Sequence, residues 1–177
     1  MTNVRRVGAR YYLLLLAIVL VTHLIHEGAH WLAGVALGHE MTFNLNSAGP
    51  TMPVTMRDHL IISAAGPVVT LIQGVVAFLM VRARASMAAY GFLFFAALMR
   101  VSAAGISLFN PNDEARISLE LGLGQWTLPI VVSAVLIVLT VVASRALRLG
   151  WKTNALTYFV CTIGLSAMVG LDMLMKG

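Results

Sequence analysis

YYLLLLAIVLVTHLIHEGAHWLAGVAL, residues 11–37, is longer than the roughly 20 apolar residues that a helix needs to cross a hydrocarbon core, and its second half holds His23, His26, Glu27 and His30. A charge near the centre of such a span costs roughly 2.5 kcal/mol or more, so ionisable groups there ordinarily serve a pathway, a partner or a metal. One segment thus sets the solvent of the chain, which is lipid, and the place of its chemistry, which is the first helix. Arg5, Arg6 and Arg10 ahead of Tyr11 imitate a secretory signal, but the histidines and Glu27 interrupt the apolar run and no small-residue cleavage site follows. An uncleaved helix is expected.

The rest of the chain has the same character. Of 177 residues, 59% are hydrophobic and 11% charged, and the mean hydropathy is +0.88, which excludes an ordinary soluble domain. Apolar runs predict helices over about 11–37, 60–81, 87–109, 128–147 and 156–175, bounded by charges and turn residues. The expected fold is an all-α polytopic membrane protein, one domain over residues 1–177, with a functional core over about 11–120 and two accessory helices over about 127–175 that carry little polar decoration and serve as packing partners. Between the first two helices, Met41, Phe43 and Leu45 alternate with polar residues, Ala48-Gly49-Pro50 interrupts, and Met52, Val54 and Met56 alternate again. That pattern predicts a short β-hairpin at the membrane surface.

The net charge is +5 and the pI about 10, but the arginines stand singly or in pairs beside apolar runs, which excludes a nucleic-acid surface. They act as topology signals. Arg5, Arg6, Arg10, Arg82, Arg84, Arg145, Arg148 and Lys152 fall on one side of the predicted membrane, and Arg57, Arg116 and Lys176 on the other, so the N-terminus is expected in the cytoplasm. A bacterial plasma membrane is the expected location. The single cysteine, Cys161, excludes an internal disulfide and a cysteine metal cluster.

Residues four apart share a helix face, so His26 and His30 can offer two imidazole nitrogens to one tetrahedral ion, with Glu27 on an adjoining edge. This is the pattern of His-Glu-x-x-His zinc hydrolysis, in which the metal activates water and the glutamate moves its proton. His23, one turn earlier, reads as a packing group or a hydrogen-bond donor behind the site. A catalytic zinc takes a third protein ligand, and parity narrows the choice, because the first and third helices end on the same membrane face. Asp113 or Glu114, following Asn110-Pro111-Asn112, can reach the metal. Asp172 ends on that face too, but the bare apolar run before it suggests interfacial solvation. Arg100, inside the third helix, needs a carbonyl or carboxylate partner or a route to water.

These residues resemble the site-2 protease family of intramembrane zinc metalloproteases. The match consists of His26-Glu27-Gly28-Ala29-His30 in an apolar helix, Ser63-Ala64-Ala65-Gly66-Pro67 in the next, and an Asn-Pro-containing acidic motif closing a third, over roughly Thr22 to Glu114. The resemblance implies a three-helix catalytic core, one Zn2+ bound by His26, His30 and Asp113, Glu27 as base, and cleavage of membrane-spanning or membrane-proximal peptides. It further implies that the hairpin assists an unwound substrate, with Asn44 and Asn46 near the cleft. Asn110 reads either as a cap ending the third helix or as a donor to a developing oxyanion. The third motif departs from the family pattern: Asn110-Pro111 is compressed against Asp113 and Glu114 and Leu-Asp-Gly is missing, so both acids stay open as ligands. Family sites lie nearer the cytoplasmic face, whereas the arginine count puts this one towards the outer face. With no appended soluble domain evident, substrate choice falls to the core or to a partner protein. Two readings compete: a proteolytically silent protein of the same fold that binds or escorts a partner, and a metal-conducting protein, which the lack of repeated acids and histidines along successive helices disfavours.

Overall fold

Each long helix begins where the sequence offers an N-cap or a break and runs until the apolar stretch is exhausted. The computed structural model describes residue 5 and residues 7–176; Arg6, one of the basic residues counted above, lies outside them. Among the described residues the order is α1 (Ala9–Ala36), β1 (Met41–Asn44), β2 (Ser47–Pro50), α2 (Met56–Arg84), α3 (Met87–Ile106), α4 (Asp113–Glu120), α5 (Thr127–Ala146) and α6 (Trp151–Lys176). The five helices other than α4 are long and apolar enough to cross a membrane, making this a multi-pass protein. The Thr55 hydroxyl caps α2 by accepting the Asp58 N–H at 3.2 Å, and the Ser86 hydroxyl caps α3 by accepting that of Ala89 at 3.2 Å.

The central element is α3, packed against α1, α2 and α5, with α6 closing over α1. Small residues permit this. A Cβ on Gly91 would lie 2.9 Å from Ile18 and Leu15, and one on Gly164 would lie 3.2 Å from Val19, so α1 is approached closely from two sides, as membrane bundles require. The buried core runs through Leu15, Ile18, Leu93, Phe95 and Leu136, while Leu13, Val68, Leu79, Ile130 and Val138 remain exposed on the outer surface and suit contact with lipid.

One end of the bundle is basic. Arg10, Arg82, Arg84, Arg145, Arg148 and Lys152 are exposed there, and Arg5 joins the turns by donating to the carbonyls of Ala85 and Arg148. The opposite end carries the hairpin, α4 and the charged half of α1. Trp151 and Trp126 stand at the starts of α6 and α5, exposed at opposite ends, where interfacial aromatics belong.

Several boundaries differ from the sequence reading. The hairpin forms, but Met41 pairs with Pro50 and Asn44 with Ser47, so the turn is Leu45-Asn46 and Ala48-Gly49-Pro50 is a strand; Met56 already belongs to α2. Pro50 is tolerated because it stands at the strand end, where its missing N–H breaks no interior ladder. The hairpin docks on α1 at Gly34, where a Cβ would strike the Met41 sulfur. The third helix ends at Ile106 instead of Phe109, and α4 is an additional helix, started by the Asn112 cap. Helices α5 and α6 are less bare than expected: Asn154 accepts from the Tyr90 hydroxyl at 2.9 Å and donates to Ser144 at 2.8 Å, and Thr157 donates to the Tyr11 hydroxyl at 3.3 Å. Cysteines placed at Arg57 and Arg84, at the two ends of α2, are expected to react with an impermeant thiol reagent from opposite sides of the membrane, against a low background because Cys161 is buried. Labelling of both from one side would break this arrangement.

Candidate metal centre

In its second half α1 turns one polar face inward, and His23, His26, Glu27 and His30 are all buried. The two ligand-type histidines meet edge to face, with Nε2 atoms 3.2 Å apart. Each of those atoms is 3.3 Å from Oδ2 of Asp113, at the start of α4. Their other ring nitrogens are occupied by α2. His30 Nδ1 is 2.6 Å from the Ile62 carbonyl, which can only accept, so this nitrogen carries the proton. His26 Nδ1 is 3.0 Å from the Thr70 hydroxyl oxygen, whose own hydrogen goes to the Gly66 carbonyl at 3.0 Å. It too must donate. Both Nε2 atoms therefore present lone pairs.

Three lone-pair atoms with edges of 3.2–3.3 Å repel one another unless a cation lies among them. A tetrahedral ion with bonds of about 2.0–2.1 Å separates its ligands by about 3.3–3.4 Å. The triangle His26, His30 and Asp113 thus fits a metal ion in spacing, donor type and outer hydrogen bonding.

Glycine is required where α2 crosses this triangle: a Cβ on Gly66 would strike His30 Nε2 and lie 2.5 Å from His26 Cε1. One residue on, Pro67 supplies no N–H to the helix ladder. By contrast a Cβ on Gly28, between the two histidines, would meet open space.

The adjacent acids of α4 divide the work. Asp113 offers Oδ2 to the histidines and accepts at Oδ1 from Arg116 at 2.6 Å. Glu114 points elsewhere, accepting from buried Arg100 at 2.8 Å. This is the carboxylate that Arg100 needed, and it takes Glu114 away from the metal position. Both acids sit in the first turn of a helix, where the dipole favours negative charge.

A cavity of about 430 Å3 opens beside the triangle and is lined by Glu27, His23, Asn46, Asn110 and Arg116 among others. Glu27 stands outside the triangle on the cavity wall, with Oε1 3.8 Å from His23 Nε2. His23 in turn donates to the Asn46 side-chain oxygen at 3.0 Å. Asn110 is exposed at the rim and does not cap α3, a place taken by Ser107. Asn44 does not line the cavity; it ends β1, and its amide donates to the Ser47 hydroxyl across the turn at 3.3 Å. Asp172, expected in the solvated interface, is 4% exposed and accepts the Asn46 N–H at 3.2 Å. Sequence reading missed Thr70, Gly66 as a cradle, and Arg116; the last had a signal, standing three residues after Asp113 on one helix face.

Asp113→Ala is expected to lower Zn2+ affinity, measured by equilibrium dialysis, by more than about 100-fold, above what loss of an outer partner costs. Glu114→Gln should keep stoichiometric metal while lowering stability by up to about 3–5 kcal/mol, because it strands the Arg100 charge. The reverse pattern would make Glu114 the ligand. Gly66→Ala, which changes no ligand atom, should also weaken metal binding. Comparison of the chain with protein-family models, with curated proteins and with solved structures finds no match.

Proposed function

We propose that this protein is a zinc endopeptidase of the site-2 protease kind, hydrolysing peptide bonds in membrane-embedded or membrane-proximal substrates. The observation that carries this reading is the convergence of two imidazole lone pairs and one carboxylate oxygen, 3.2–3.3 Å apart, with a fourth ionisable group, Glu27, beside them on the wall of a shared cavity. Three protein ligands with room on one side make a catalytic pattern; a structural site would be closed by a fourth.

Zn2+ held by His26, His30 and Asp113 would supply Lewis-acid polarisation of the scissile carbonyl and activation of water. The protein's own groups do the rest. A Glu27 carboxylate oxygen accepts a proton from the attacking water and delivers it to the amide nitrogen as the C–N bond breaks, leaving a carboxylate and an amine. Asn110, on the cavity rim, is placed to donate to a developing oxyanion. A helical substrate must unwind first, because its own hydrogen bonds shield each carbonyl, and the two-stranded hairpin offers backbone groups to a peptide in extended form. The positive-inside rule places the basic end in the cytoplasm and the site towards the opposite face. A partner protein would contribute to substrate choice.

Glu27→Gln should retain metal, because Glu27 is outside the triangle, and should lower turnover of a membrane-peptide substrate by about 100- to 10,000-fold, the contribution of a general base. Stoichiometric zinc together with undiminished cleavage in this variant would remove Glu27 from the mechanism; zinc with no cleavage by the parent would favour the silent partner-binding reading.

A further inference from the structure

The sixth helix enters the site through one stripe. Leu165, Val169, Asp172 and Lys176 follow one another at spacings of four, three and four residues, so they share a face of α6. The first two line the cavity. Asp172 is a buried acid in an otherwise apolar stretch, and its two oxygens are both occupied: Oδ1 accepts the Asn46 N–H at 3.2 Å and Oδ2 accepts Lys176 Nζ at 2.6 Å. Lys176 Nζ also donates to the Ser47 hydroxyl at 2.9 Å. Two successive hairpin residues are therefore gripped by α6.

The grip falls where the hairpin cannot satisfy itself. Asn44 and Ser47 are the last paired residues, so the Asn46 amide stands in the turn, outside the ladder. A half-buried donor of this kind is left without a ladder partner unless another acceptor reaches it. Asp172 supplies that acceptor. With its backbone fixed, Asn46 directs its side-chain oxygen to His23 Nε2 at 3.0 Å, and the same nitrogen lies 3.8 Å from Glu27 Oε1. A chain of contacts thus runs from α6 through the hairpin turn and His23 to the edge of Glu27.

We infer that Asp172, clamped by Lys176, is a positioning residue: it fixes the Leu45-Asn46 turn as a wall of the cavity and through Asn46 sets the place of His23 beside Glu27. The structural part of this inference stands on hydrogen bonds alone; its effect on turnover rests on the peptidase reading. Helix α6 is on this view a part of the site, and the three-helix core is incomplete without it.

The test compares full-length parent, Asp172→Ala, Asp172→Asn and Lys176→Met in detergent, by amide hydrogen exchange over residues 41–50, zinc content, and hydrolysis of a membrane peptide. Asp172→Ala should raise exchange at the turn about 10-fold or more, keep one zinc, and lower kcat about 10-fold, comparable to loss of an outer partner. Asp172→Asn, which retains an acceptor oxygen, should recover most of both losses, a rescue that simple disruption of α6 packing would not show. Lys176→Met should loosen the turn to a smaller degree. If Asp172→Ala does not elute as a folded species, the Asn and Met variants decide through exchange. Unchanged exchange in all three variants would overturn the inference, and so would a rise in kcat in Asp172→Ala, since the clamp would then be a barrier to entry. Should the parent hydrolyse nothing, the peptidase reading fails by itself, and exchange at the turn still decides the clamp.

Discussion

Two imidazole lone pairs and a carboxylate oxygen held within 3.3 Å of one another, away from water, form an arrangement that no chain adopts for its own sake. Each atom would gain by turning to a hydrogen-bond donor, and desolvation makes their mutual repulsion stronger. They stay because α2 holds the far side of both rings, through the Ile62 carbonyl and the Thr70 hydroxyl, and because α4 brings Asp113 in at a helix N-terminus. The approach of α2 to α1 at this point is therefore close, and Gly66 is the residue that allows it.

Charge is distributed around that triangle by pairing. Arg100 is neutralised by Glu114, Arg116 lies against the outer oxygen of Asp113, and Lys176 against Asp172. Glu114 and Asp113 are neighbours in sequence yet serve different partners, because one residue along a helix is a rotation of about 100°. The buried Arg100–Glu114 pair adds little stability over an apolar one, but it penalises any arrangement that separates the partners. Joining α3 to α4, it thus fixes the orientation of α4, and with it the third corner of the triangle.

The spans were legible because lipid writes its requirement directly into composition: five runs of apolar residues gave five spanning helices. Their ends were less legible. The second helix starts at Met56, four residues ahead of its apolar run, since Arg57-Asp58-His59 form a polar first turn over the Thr55 cap. The sixth starts at Trp151 because Asn154, polar in the sequence, is used internally by Tyr90 and Ser144. Alternation announced the hairpin but misplaced its turn, as Leu45-Asn46 carries no glycine and Gly49-Pro50 looks like a break. At the site, the spacing of His26 and His30 was readable from helical geometry. The choice between Asp113 and Glu114 was not, because it depends on where α4 begins and hence on Asn112. The Ile62 carbonyl was beyond reach altogether: any residue type at that position carries one.

The two ends of α6 bear on how a peptide would approach. At the basic end Asn154 and Thr157 tie α6 to Tyr90, Ser144 and Tyr11; at the site end Asp172 and Lys176 tie it to the hairpin; between them Gly164 lies against Val19. Parting α6 from α1 would therefore break hydrogen bonds at both ends and a close-packed contact between. The turn joining α3 to α4 offers a different route. Ile106 lines the cavity and is half exposed, Leu108 and Phe109 stand 70% and 92% exposed beside it, and Asn110 follows on the rim. Exposed apolar groups at this position suit the lipid interface, and the next polar groups inward lead to Asp113. For the activity proposed above, this ledge is an approach from the bilayer that leaves the hydrogen bonds of α6 in place. The wall that α6 and the hairpin form together then serves best by staying shut.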